Sequence, residues 1–439
     1  MENKFHLRCR QCNRIINNFR EWFAGAQKCP ECGNKWVNVG YSGDYKRLKE
    51  LISDSADKAE NMFHYFDFLP LNDKKNIITE GEGVIPVDRW EFLEEFAFKK
   101  YGLRVKVLAY RNDNNYGTGT FKDAAAALVA SVLKENGVKQ YAVASTGNVA
   151  NAFAHYLALA GISLTVFVPQ DALVANEAGV GSYGQRVYRV RGDYHKSKMI
   201  AAEYSKKYGI LLSGGNTDPM RVEAKKTMVF EWLRLLGYLP DVYIQALSGG
   251  TGPIAIEKGC DDIEHLGLFT KRPRYILVQP DKCDPMTVAW NKARSKGFPE
   301  GWESDYPVLE NPETLIPTLA TGNPITYPII ATIVHRSGGE IISFHEEDCP
   351  DVARLIAYET TVKIGPAAAI AIGGFFDALR MKQIREGESV MINVGEGARR
   401  APELLGAMTY TTQWIDSVDE TQPTDRAEFR NQLWKKFEE

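Results

Sequence analysis

Lys122 has the sequence surroundings that best suit covalent chemistry. It follows a turn, residues 117–120, in which two glycines let the backbone approach a ligand closely and two threonines offer their hydroxyl groups. An alanine-rich apolar run begins at Ala124 and predicts a helix that buries what the turn presents. Because burial disfavours the ammonium form, it lowers the lysine pKa and makes the amine a nucleophile toward carbonyl groups. The alternative is a solvated lysine at a helix start, with Thr120 as a simple N-cap.

Four cysteines near the N-terminus have the spacing of a metal site. They form two C-x-x-C pairs with sixteen residues between them, Cys9 with Cys12 and Cys29 with Cys32. Two such pairs can place four thiolates tetrahedrally around zinc, and four thiolates leave no open position. The sequence therefore predicts a structural zinc site. Disulfides and a redox pair are the alternatives, but a redox pair needs only one C-x-x-C.

Two loops further along the chain have the composition of ligand-binding loops. Residues 145–148, Ser-Thr-Gly-Asn, follow a strand predicted over 140–144 and open a helix. Residues 248–252, Ser-Gly-Gly-Thr-Gly, join a strand predicted over 242–246 to a helix predicted to begin at Pro253. A glycine-rich loop at a helix N-terminus exposes several backbone N–H groups to an anion. A turn that merely uses glycine is the alternative.

The elements that position these loops alternate between strands and helices from about residue 105 to residue 394. This alternation predicts parallel sheets in an α/β fold, in which loops collect at the carboxyl ends of the strands. A lysine amine, an amide and an anion cradle would then meet at one place. Together they suit pyridoxal phosphate, which carries an aldehyde, a phenolic oxygen and a phosphate. A region rich in Pro, Asn and Gly, residues 297–328, is either a flap over that site or a plain surface excursion.

The composition describes a chain with ample core and no strong charge imbalance. Its 439 residues exceed one ordinary domain, so two or three domains are expected. The formal net charge of −3 gives no electrostatic case for nucleic acid, and no apolar run in the sequence reaches the length of a membrane span. The first residues lack a signal peptide's hydrophobic stretch, and the paired cysteines fit a reducing compartment, so a cytoplasmic protein is expected.

The order and spacing of these motifs resemble those of fold-type II pyridoxal-phosphate enzymes, specifically the threonine synthase family. Residues 120–123 resemble that family's S-F-K-D, and residues 145–148 resemble its S-x-G-N. Residues 218–227 are similar to N-P-x-R-x-E-G-x-K-T, and residues 81–87 to G-E-G-x-T-P-L. The resemblance implies a tryptophan synthase β-like α/β architecture with two doubly wound domains and, as in part of the family, an N-terminal zinc ribbon.

The resemblance also implies how the chain is divided into domains. Residues 1–40 are expected to form the zinc ribbon, and residues 41–110 a connector and the start of the large pyridoxal-phosphate domain. Residues 111–240 should be mainly the small α/β domain, with the cofactor lysine and the S-x-G-N loop. Residues 241–439 should complete the large domain, with the phosphate-binding loop and a charged C-terminal surface helix.

The same resemblance implies roles for individual residues. Lys122 is the catalytic residue and holds the cofactor, while Asn148 lies against the pyridine ring and its phenolic oxygen. Asn393 is the candidate partner of the pyridine nitrogen, and the other possible alignment places Val394 at this position. The loop expected to hold the cofactor phosphate consists of Ser248, Gly249, Gly250, Thr251 and Gly252. The residues expected to bind the substrate are Ser145, Thr146, Gly147, Asn216 and Arg221.

Departures from the family pattern bear on the substrate. The family usually has threonine directly after the S-x-G-N asparagine and an asparagine in its G-N-x-G-N loop, where this chain has Val149 and Gly249. Loss of two polar partners of a buried dianion costs on the order of several kcal/mol, which argues against phosphohomoserine. The loop 248–252 and residues 152–155 are more similar to the cysteate synthase branch, which replaces the phosphate of phosphoserine with sulfite.

The sequence therefore predicts a pyridoxal-phosphate enzyme that performs β-replacement on an O-activated, phosphorylated serine. Threonine synthase, which performs γ-elimination and β-addition of water on O-phosphohomoserine, is the alternative. A non-catalytic zinc-ribbon binding protein is a further alternative, against which Lys122 speaks. The expected partners are a small amino acid and a small nucleophile, without nucleic acid or membrane, and a homodimer stays open.

Overall fold

The computed structural model describes residues 4–53, 58–145, 147–267, 271–408, 412–423 and 425–438. The strands are β1 (Phe5–Cys9), β2 (Ile15–Ile16), β3 (Val37–Tyr41), β4 (Val87–Arg89), β5 (Lys106–Tyr110), β6 (Gln140–Ala144), β7 (Ser163–Val168), β8 (Arg186–Arg189), β9 (Leu211–Leu212), β10 (Val242–Ala246), β11 (Arg274–Pro280), β12 (Glu340–Phe344) and β13 (Ser389–Asn393). The α-helices are α1 (Phe19–Ala24), α2 (Lys46–Ser53), α3 (Glu91–Tyr101), α4 (Asp123–Glu135), α5 (Asn148–Leu159), α6 (Val174–Gly181), α7 (Tyr194–Tyr208), α8 (Pro219–Leu236), α9 (Thr251–Glu264), α10 (Pro285–Ser295), α11 (Tyr327–Ser337), α12 (Cys349–Thr360), α13 (Pro366–Arg380), α14 (Pro402–Ala407) and α15 (Arg426–Glu438). Of the helices in these described stretches, not one is both long enough and apolar enough for a membrane span.

Two of the three sheets are doubly wound, which confirms the predicted α/β fold. The largest has the strand order β12-β11-β10-β13-β5-β4 and is parallel except for β4, which pairs antiparallel with β5. The second has the order β8-β7-β6-β9 and is parallel throughout. In each sheet three consecutive strands run outward and the next strand returns to the other side of the first. The strand order therefore reverses beside β10 in one sheet and beside β6 in the other.

Both faces of the largest sheet are buried, as parallel strands covered by helices require. Side chains along β10 alternate between the faces: Val242 and Ile244 join one hydrophobic cluster, and Tyr243 joins the other. The cluster of Val242 and Ile244 also contains the apolar residues of α12 and α13. The sheet is thus a rigid platform whose strand ends can carry a site.

The C-terminal helix α15 buries one of its sides in the hydrophobic core. Its spacing places Leu433, Trp434 and Phe437 on one side, where they are buried in the same cluster as α12 and α13. The Trp434 indole N–H also donates to the Glu359 carboxylate at 2.8 Å. The sequence correctly predicts a charged helix here, but one of its sides packs against the large sheet's helices.

Helix α9 begins two residues before the predicted start at Pro253. Gly250 adopts the left-handed conformation with φ of 78° and serves as the N-cap, so the helix begins at Thr251. Pro253 is still accommodated, because the first N–H groups of a helix have no intrahelical partner. The glycine-rich loop therefore leads directly into the helix N-terminus.

The N-terminal module, residues 4–41, carries the third sheet and docks beside the second. Its strand order is β2-β1-β3, and both pairings are antiparallel. The Gln27 side chain donates from Nε2 to the Leu212 carbonyl at 2.5 Å, and the Tyr41 hydroxyl donates to the Glu223 carboxylate at 2.6 Å. Apolar residues of this module belong to the same hydrophobic cluster as α4, α5 and α8. The module is thus packed on the α/β body.

A buried ionic network connects α8 and α9 underneath this module. The Lys226 amine lies 2.5 Å from Glu223 and 2.7 Å from Asp262, and all three side chains are buried. Lys258 also pairs with Asp262, and the Tyr41 ring lies 4.1 Å from the Lys226 amine. This pairing offsets the free-energy cost of burying the four charges.

Candidate active site

A cavity of about 400 Å³ lies where the carboxyl ends of β6, β10 and β13 come together. The strand order of each sheet reverses at these strands, and α/β folds bind ligands at such points. The predicted site residues that line the cavity are Lys122, Ser145, Gly147, Asn148, Asn216, Arg221, Ser248, Gly249, Gly250, Thr251, Gly252 and Asn393. Thr146 lies outside the described residues. The fold therefore brings the remaining predicted cofactor and substrate residues to one place.

The turn before Lys122 is held by Asp123. This buried carboxylate accepts hydrogen bonds from the Thr118 hydroxyl at 2.5 Å and from the backbone N–H groups of Thr118 and Thr120 at 2.9 and 3.2 Å. The two threonine hydroxyls lie 3.0 Å apart and are buried. The prediction that they face a ligand is therefore wrong. They fix the backbone that presents Lys122.

The Lys122 amine is in an environment that favours its neutral form. Its pKa is lowered from 10.5 to about 8, mainly by burial and also by the nearby Arg221 guanidinium. The Glu396 carboxylate acts in the opposite direction. A neutral amine is the form that attacks a carbonyl or accepts a proton, so Lys122 is poised for both tasks near neutral pH.

We expect the reactivity of Lys122 toward a small amine-modifying reagent to rise with pH through a midpoint of about 8 in the cofactor-free protein. Only the neutral amine reacts, and it accumulates as the pH rises through the pKa. Peptide mass spectrometry measures the modified fraction, and exposed lysines, with a usual pKa of about 10.4, are the internal control. Glu396→Gln should move the midpoint down, because Glu396 raises the Lys122 pKa. A midpoint equal to that of exposed lysines would contradict this.

Glu396 is a site residue that the sequence analysis did not assign. Its buried carboxylate accepts a hydrogen bond from Asn148 Nδ2 and another, at 2.7 Å, from the backbone N–H of Ala367 at the start of α13. Burial raises the pKa of Glu396, and these two donors and Lys122 oppose that shift. Its position in the sequence could have indicated this role, because residues 395–397 lie just after β13, at the carboxyl end of a central strand.

The glycine-rich loop has the geometry of an anion cradle. A Cβ on Gly249 or Gly252 would lie 1.8 or 2.1 Å from the side-chain amide packed against it, so neither position can hold a larger residue without rearrangement. Gly250 requires its left-handed conformation to enter α9. The first N–H groups of a helix have no intrahelical partner, and Thr251 and Gly252 at the start of α9 line the cavity, so their N–H groups favour an anion there.

Asn216 and Arg221 both line the cavity, but they differ in what they contact. Asn216 Oδ1 accepts a hydrogen bond from the Thr251 hydroxyl at 3.0 Å, so this amide braces the glycine-rich loop. Arg221 is buried and donates from Nη1 to the Gly215 carbonyl at 2.8 Å. In the described part of the chain, its Nε–H finds no acceptor. A buried guanidinium with an unused donor favours an anionic ligand.

The region 297–328 closes one side of the cavity, in agreement with the flap interpretation. Its residues Thr321 and Thr326 are part of the cavity lining. The Thr326 hydroxyl donates to the Gly249 carbonyl at 2.8 Å, and the hydroxyls of Thr321 and Ser248 are 2.7 Å apart. These contacts tie the flap to the glycine-rich loop and shield that loop from solvent.

Asn393 lines the cavity, whereas Val394 is buried in the hydrophobic cluster behind the sheet. Asn393 Oδ1 accepts a hydrogen bond from Asn112 Nδ2 at 2.7 Å. The amide is thereby oriented with its NH₂ group left as a donor. This geometry favours the first of the two alignments, with a neutral donor available to a pyridine nitrogen.

The residues present fit pyridoxal phosphate. Lys122 supplies an amine for the aldehyde, and the loop at the start of α9 supplies a cradle for the phosphate. Asn148 uses one amide N–H for Glu396 and has a second for the phenolic oxygen. The Asn393 amide supplies a donor for the ring nitrogen, and the cavity volume is within the usual range for small-molecule sites.

The four N-terminal cysteines lie close enough together to share one metal ion. Their Sγ atoms are all within 4.8 Å of one another, and Cys9–Cys32 and Cys12–Cys29 are each separated by 3.5 Å. Four thiolates bound tetrahedrally at about 2.3 Å from zinc would be about 3.8 Å apart, so the arrangement fits that geometry. The same module contributes Lys35 to the cavity lining. Zinc binding stays a prediction.

Elemental analysis should find about one zinc per chain, the count for a single four-thiolate site. Cys12→Ser removes one thiolate and should reduce metal content and thermal stability more than turnover, because the cysteines are outside the cavity lining. Cys349→Ser is the matched control, since this buried thiol lies outside the cluster and its loss should leave metal content unchanged. A metal-free Cys12→Ser protein with unchanged stability would contradict the structural role.

Comparison with known proteins gives a matching family, and the relatives include threonine synthases and a cysteate synthase. The family described as "Pyridoxal-phosphate dependent enzyme" matches residues 78–395. Threonine synthase from Methanocaldococcus jannaschii is 27% identical over 374 residues, 84% of this chain and 88% of that protein. Cysteate synthase from Methanococcoides burtonii is 26% identical over 408 residues, 90% of this chain and 94% of that protein. Overall identity thus does not separate the two kinds.

Solved structures share the fold at lower sequence identity. Diaminopropionate ammonia lyase from Escherichia coli matches with a TM-score of 0.61 and 14% identity, covering 82% of this chain and 92% of that chain. The processed form of threonine deaminase isoform 2 from Solanum lycopersicum matches with a TM-score of 0.58 and 17% identity, covering 85% and 95%. Identities this low establish the common fold alone.

Proposed function

Because the chain belongs to the family of pyridoxal-phosphate dependent enzymes, we propose that it catalyses β-replacement on a serine activated at its oxygen. O-Phosphoserine is the first candidate substrate, and sulfite or another small anion is the nucleophile. The chain is an enzyme of the threonine synthase and cysteate synthase type, and its relatives carry both names. The choice between these reactions rests on the cavity lining.

The observation that supports the choice is the buried Arg221 guanidinium, which borders the cavity with an Nε–H that has no acceptor among the described residues. It suits an anionic reactant. Val149 and Gly249, by contrast, replace polar side chains of the threonine synthase pattern. The space beside Gly249 is filled by the Asn216 amide, whose oxygen is already used by Thr251. A γ-phosphate would therefore find fewer partners than that pattern provides.

Three parts of the site have distinct roles in the proposed reaction: Lys122, Glu396 and the flap. When bound, pyridoxal phosphate withdraws electrons from the substrate and so acidifies its α-carbon proton. Lys122 accepts that proton, because its lowered pKa makes the neutral amine available. Glu396 stabilises the resulting ammonium group. The flap over the glycine-rich loop limits the entry of water that would compete with the nucleophile.

Arg221→Ala should lower kcat/KM by about 30- to 150-fold, which corresponds to about 2–3 kcal/mol for a lost charged hydrogen bond. The guanidinium orients an anionic group of the reactant, and alanine leaves that group without its donor. Released phosphate measures the rate. Arg186→Ala, at an exposed position of β8, is the control and should retain the rate. Equal rates for the two variants would remove Arg221 from the site.

The deciding experiment presents O-phosphoserine and O-phosphohomoserine to the holoenzyme separately and in competition, with and without sulfite. Phosphate release and mass spectrometry of the products give the reaction. We expect phosphate release from phosphoserine, with the sulfite-derived amino acid as product. Threonine formed from phosphohomoserine, with no reaction of any serine derivative, would overturn the proposal.

Threonine synthesis is the second candidate, supported by the similarity to the threonine synthase from Methanocaldococcus jannaschii. It would use the same Lys122 but needs a further proton abstraction at the β-carbon. A non-catalytic role is disfavoured because the lysine and its supporting Asp123 network are both present. Absence of any reaction with both substrates would contradict both candidate reactions.

A further inference from the structure

Lys225 is a buried amine in the cavity for which the described residues provide no counter-charge. It lies four residues after Arg221 on α8, so both side chains are on one face of the helix. It is 1% exposed and lines the cavity. Among the described residues, the contact of its amine is the Phe121 ring, whose centre is 3.9 Å away, and it has neither a hydrogen-bond acceptor nor an ion-pair partner.

The charges closest to Lys225 have the same sign as its ammonium form. Burial lowers the pKa of Lys225 well below its usual value, and Lys122 and Arg221 lower this pKa further. The carboxylates on the same helix are paired elsewhere, Glu223 with Lys226 and Glu231 with Arg234. A buried amine without an acceptor costs free energy, which an anion entering the cavity would offset.

The neighbouring Lys226 differs from Lys225 because its buried amine is paired with carboxylates, as expected for a structural role. Its amine is held between Glu223 and Asp262 and is fully buried away from the cavity. In the pattern N-P-x-R-x-E-G-x-K-T, Lys226 occupies the position of the lysine, whereas Lys225 occupies an unspecified position. The family pattern therefore gives Lys225 no role, and the packing gives it no partner.

We propose that Lys225 and Arg221 together bind a tetrahedral oxyanion, such as phosphate or sulfate, inside the active-site cavity. In its ammonium form, which a bound anion stabilises, Lys225 has three donors, and the guanidinium retains its unused Nε–H. The proposal rests on the proposed function and deepens it, because the oxyanion would be that of the leaving group or of the nucleophile. The phosphate of the cofactor has the same chemistry and is the other source.

The test compares the wild-type holoenzyme with Lys225→Met and with Lys207→Met, an exposed position on α7. Calorimetry measures the binding of inorganic phosphate to each holoenzyme without any amino acid present. Dialysis followed by absorbance measures how tightly the cofactor is retained. We expect Lys225→Met to weaken phosphate binding by about 10- to 100-fold and to change cofactor affinity by less than about threefold. Lys207→Met should match the wild type in both measurements.

The two sources of the oxyanion give different results. If Lys225→Met weakens cofactor retention by about 10- to 100-fold and leaves phosphate binding to the loaded enzyme unchanged, the site holds the phosphate of the cofactor. If neither quantity changes, the proposal is overturned. Because phosphate binding is measured without turnover, a failure of phosphoserine to react would not affect this result.

Two further variants separate loss of charge from loss of structure. Lys225→Arg keeps the positive charge and should retain phosphate binding within about tenfold, whereas Lys225→Gln should behave like Lys225→Met. Far-UV circular dichroism shows whether each variant is folded. Folded Lys225→Gln protein that binds phosphate as the wild type does would also overturn the proposal.

Discussion

Lys122→Ala should lower turnover by at least about 1,000-fold while the protein stays folded. In the proposed mechanism the Lys122 amine attaches the cofactor and accepts the substrate proton, so alanine would remove both functions at once. The side chain borders the cavity and carries no structural ion pair among the described residues, so its truncation should cost little stability. Phosphate release measures turnover, and circular dichroism monitors the fold. Lys134→Ala, exposed in the last turn of α4, is the matched control and should retain activity.

Borohydride reduction of the holoenzyme followed by peptide mapping tests the same assignment directly. The pyridoxyl group should be found on Lys122. Lys225 is the informative competitor, because its amine borders the same cavity and burial also lowers its pKa. A pyridoxyl group on Lys225, or full turnover by Lys122→Ala, would contradict the assignment.

Lys226→Met should reduce the free energy of unfolding by about 3–5 kcal/mol, the usual cost of removing one partner from a buried ion pair. The lysine lies between two buried carboxylates, Glu223 at 2.5 Å and Asp262 at 2.7 Å. After the substitution Lys258 is the one cation of this network that faces the two carboxylates, Glu223 and Asp262. An uncompensated charge is then left inside the protein.

Urea denaturation of the purified protein measures this change. Lys99→Met is the matched control, because Lys99 pairs with Glu95 on the exposed surface of α3, at 3.3 Å. Exposed pairs contribute little, so the control should stay within about 0.5 kcal/mol of the wild type. Equal stabilities for the two variants would show that the buried network does not hold α8 and α9 together.

Helix bounds can be predicted from a sequence where they depend on local signals. Helix α7 begins after Asp193, whose carboxylate accepts a hydrogen bond from the Lys196 N–H at 2.8 Å, and it ends at Gly209 in the left-handed conformation. Both signals can be read from neighbouring residues. The start of α9 was missed because the loop contains three glycines, and the sequence does not say that Gly250 is the one with positive φ.

In the site, too, residues marked by local sequence motifs could be predicted, whereas residues that depend on tertiary contacts could not. Motif residues such as Asn148 could be predicted because they lie on loops at the ends of strands. Glu396 and Lys225 could not, because their importance depends on contacts with distant residues: Asn148 for the first, Phe121 and Lys122 for the second. Thr118 was misassigned because the acceptor of its hydroxyl, five residues later, becomes a neighbour only in the folded turn.

The hydrogen bond from Gln27 to the Leu212 carbonyl connects the N-terminal module to the backbone that leads into the cavity. Docking of this module and ligand binding in the cavity are therefore expected to be coupled. Residues 212–216 lead from that bond to Asn216, which braces the glycine-rich loop. A ligand that holds this stretch in place favours the docked N-terminal module, and the docked module favours the ligand by the same factor, since coupling free energies are reciprocal. If zinc binds the four cysteines as predicted, its removal would thus weaken ligand binding in the cavity, and a saturated cavity would strengthen zinc binding by the same factor.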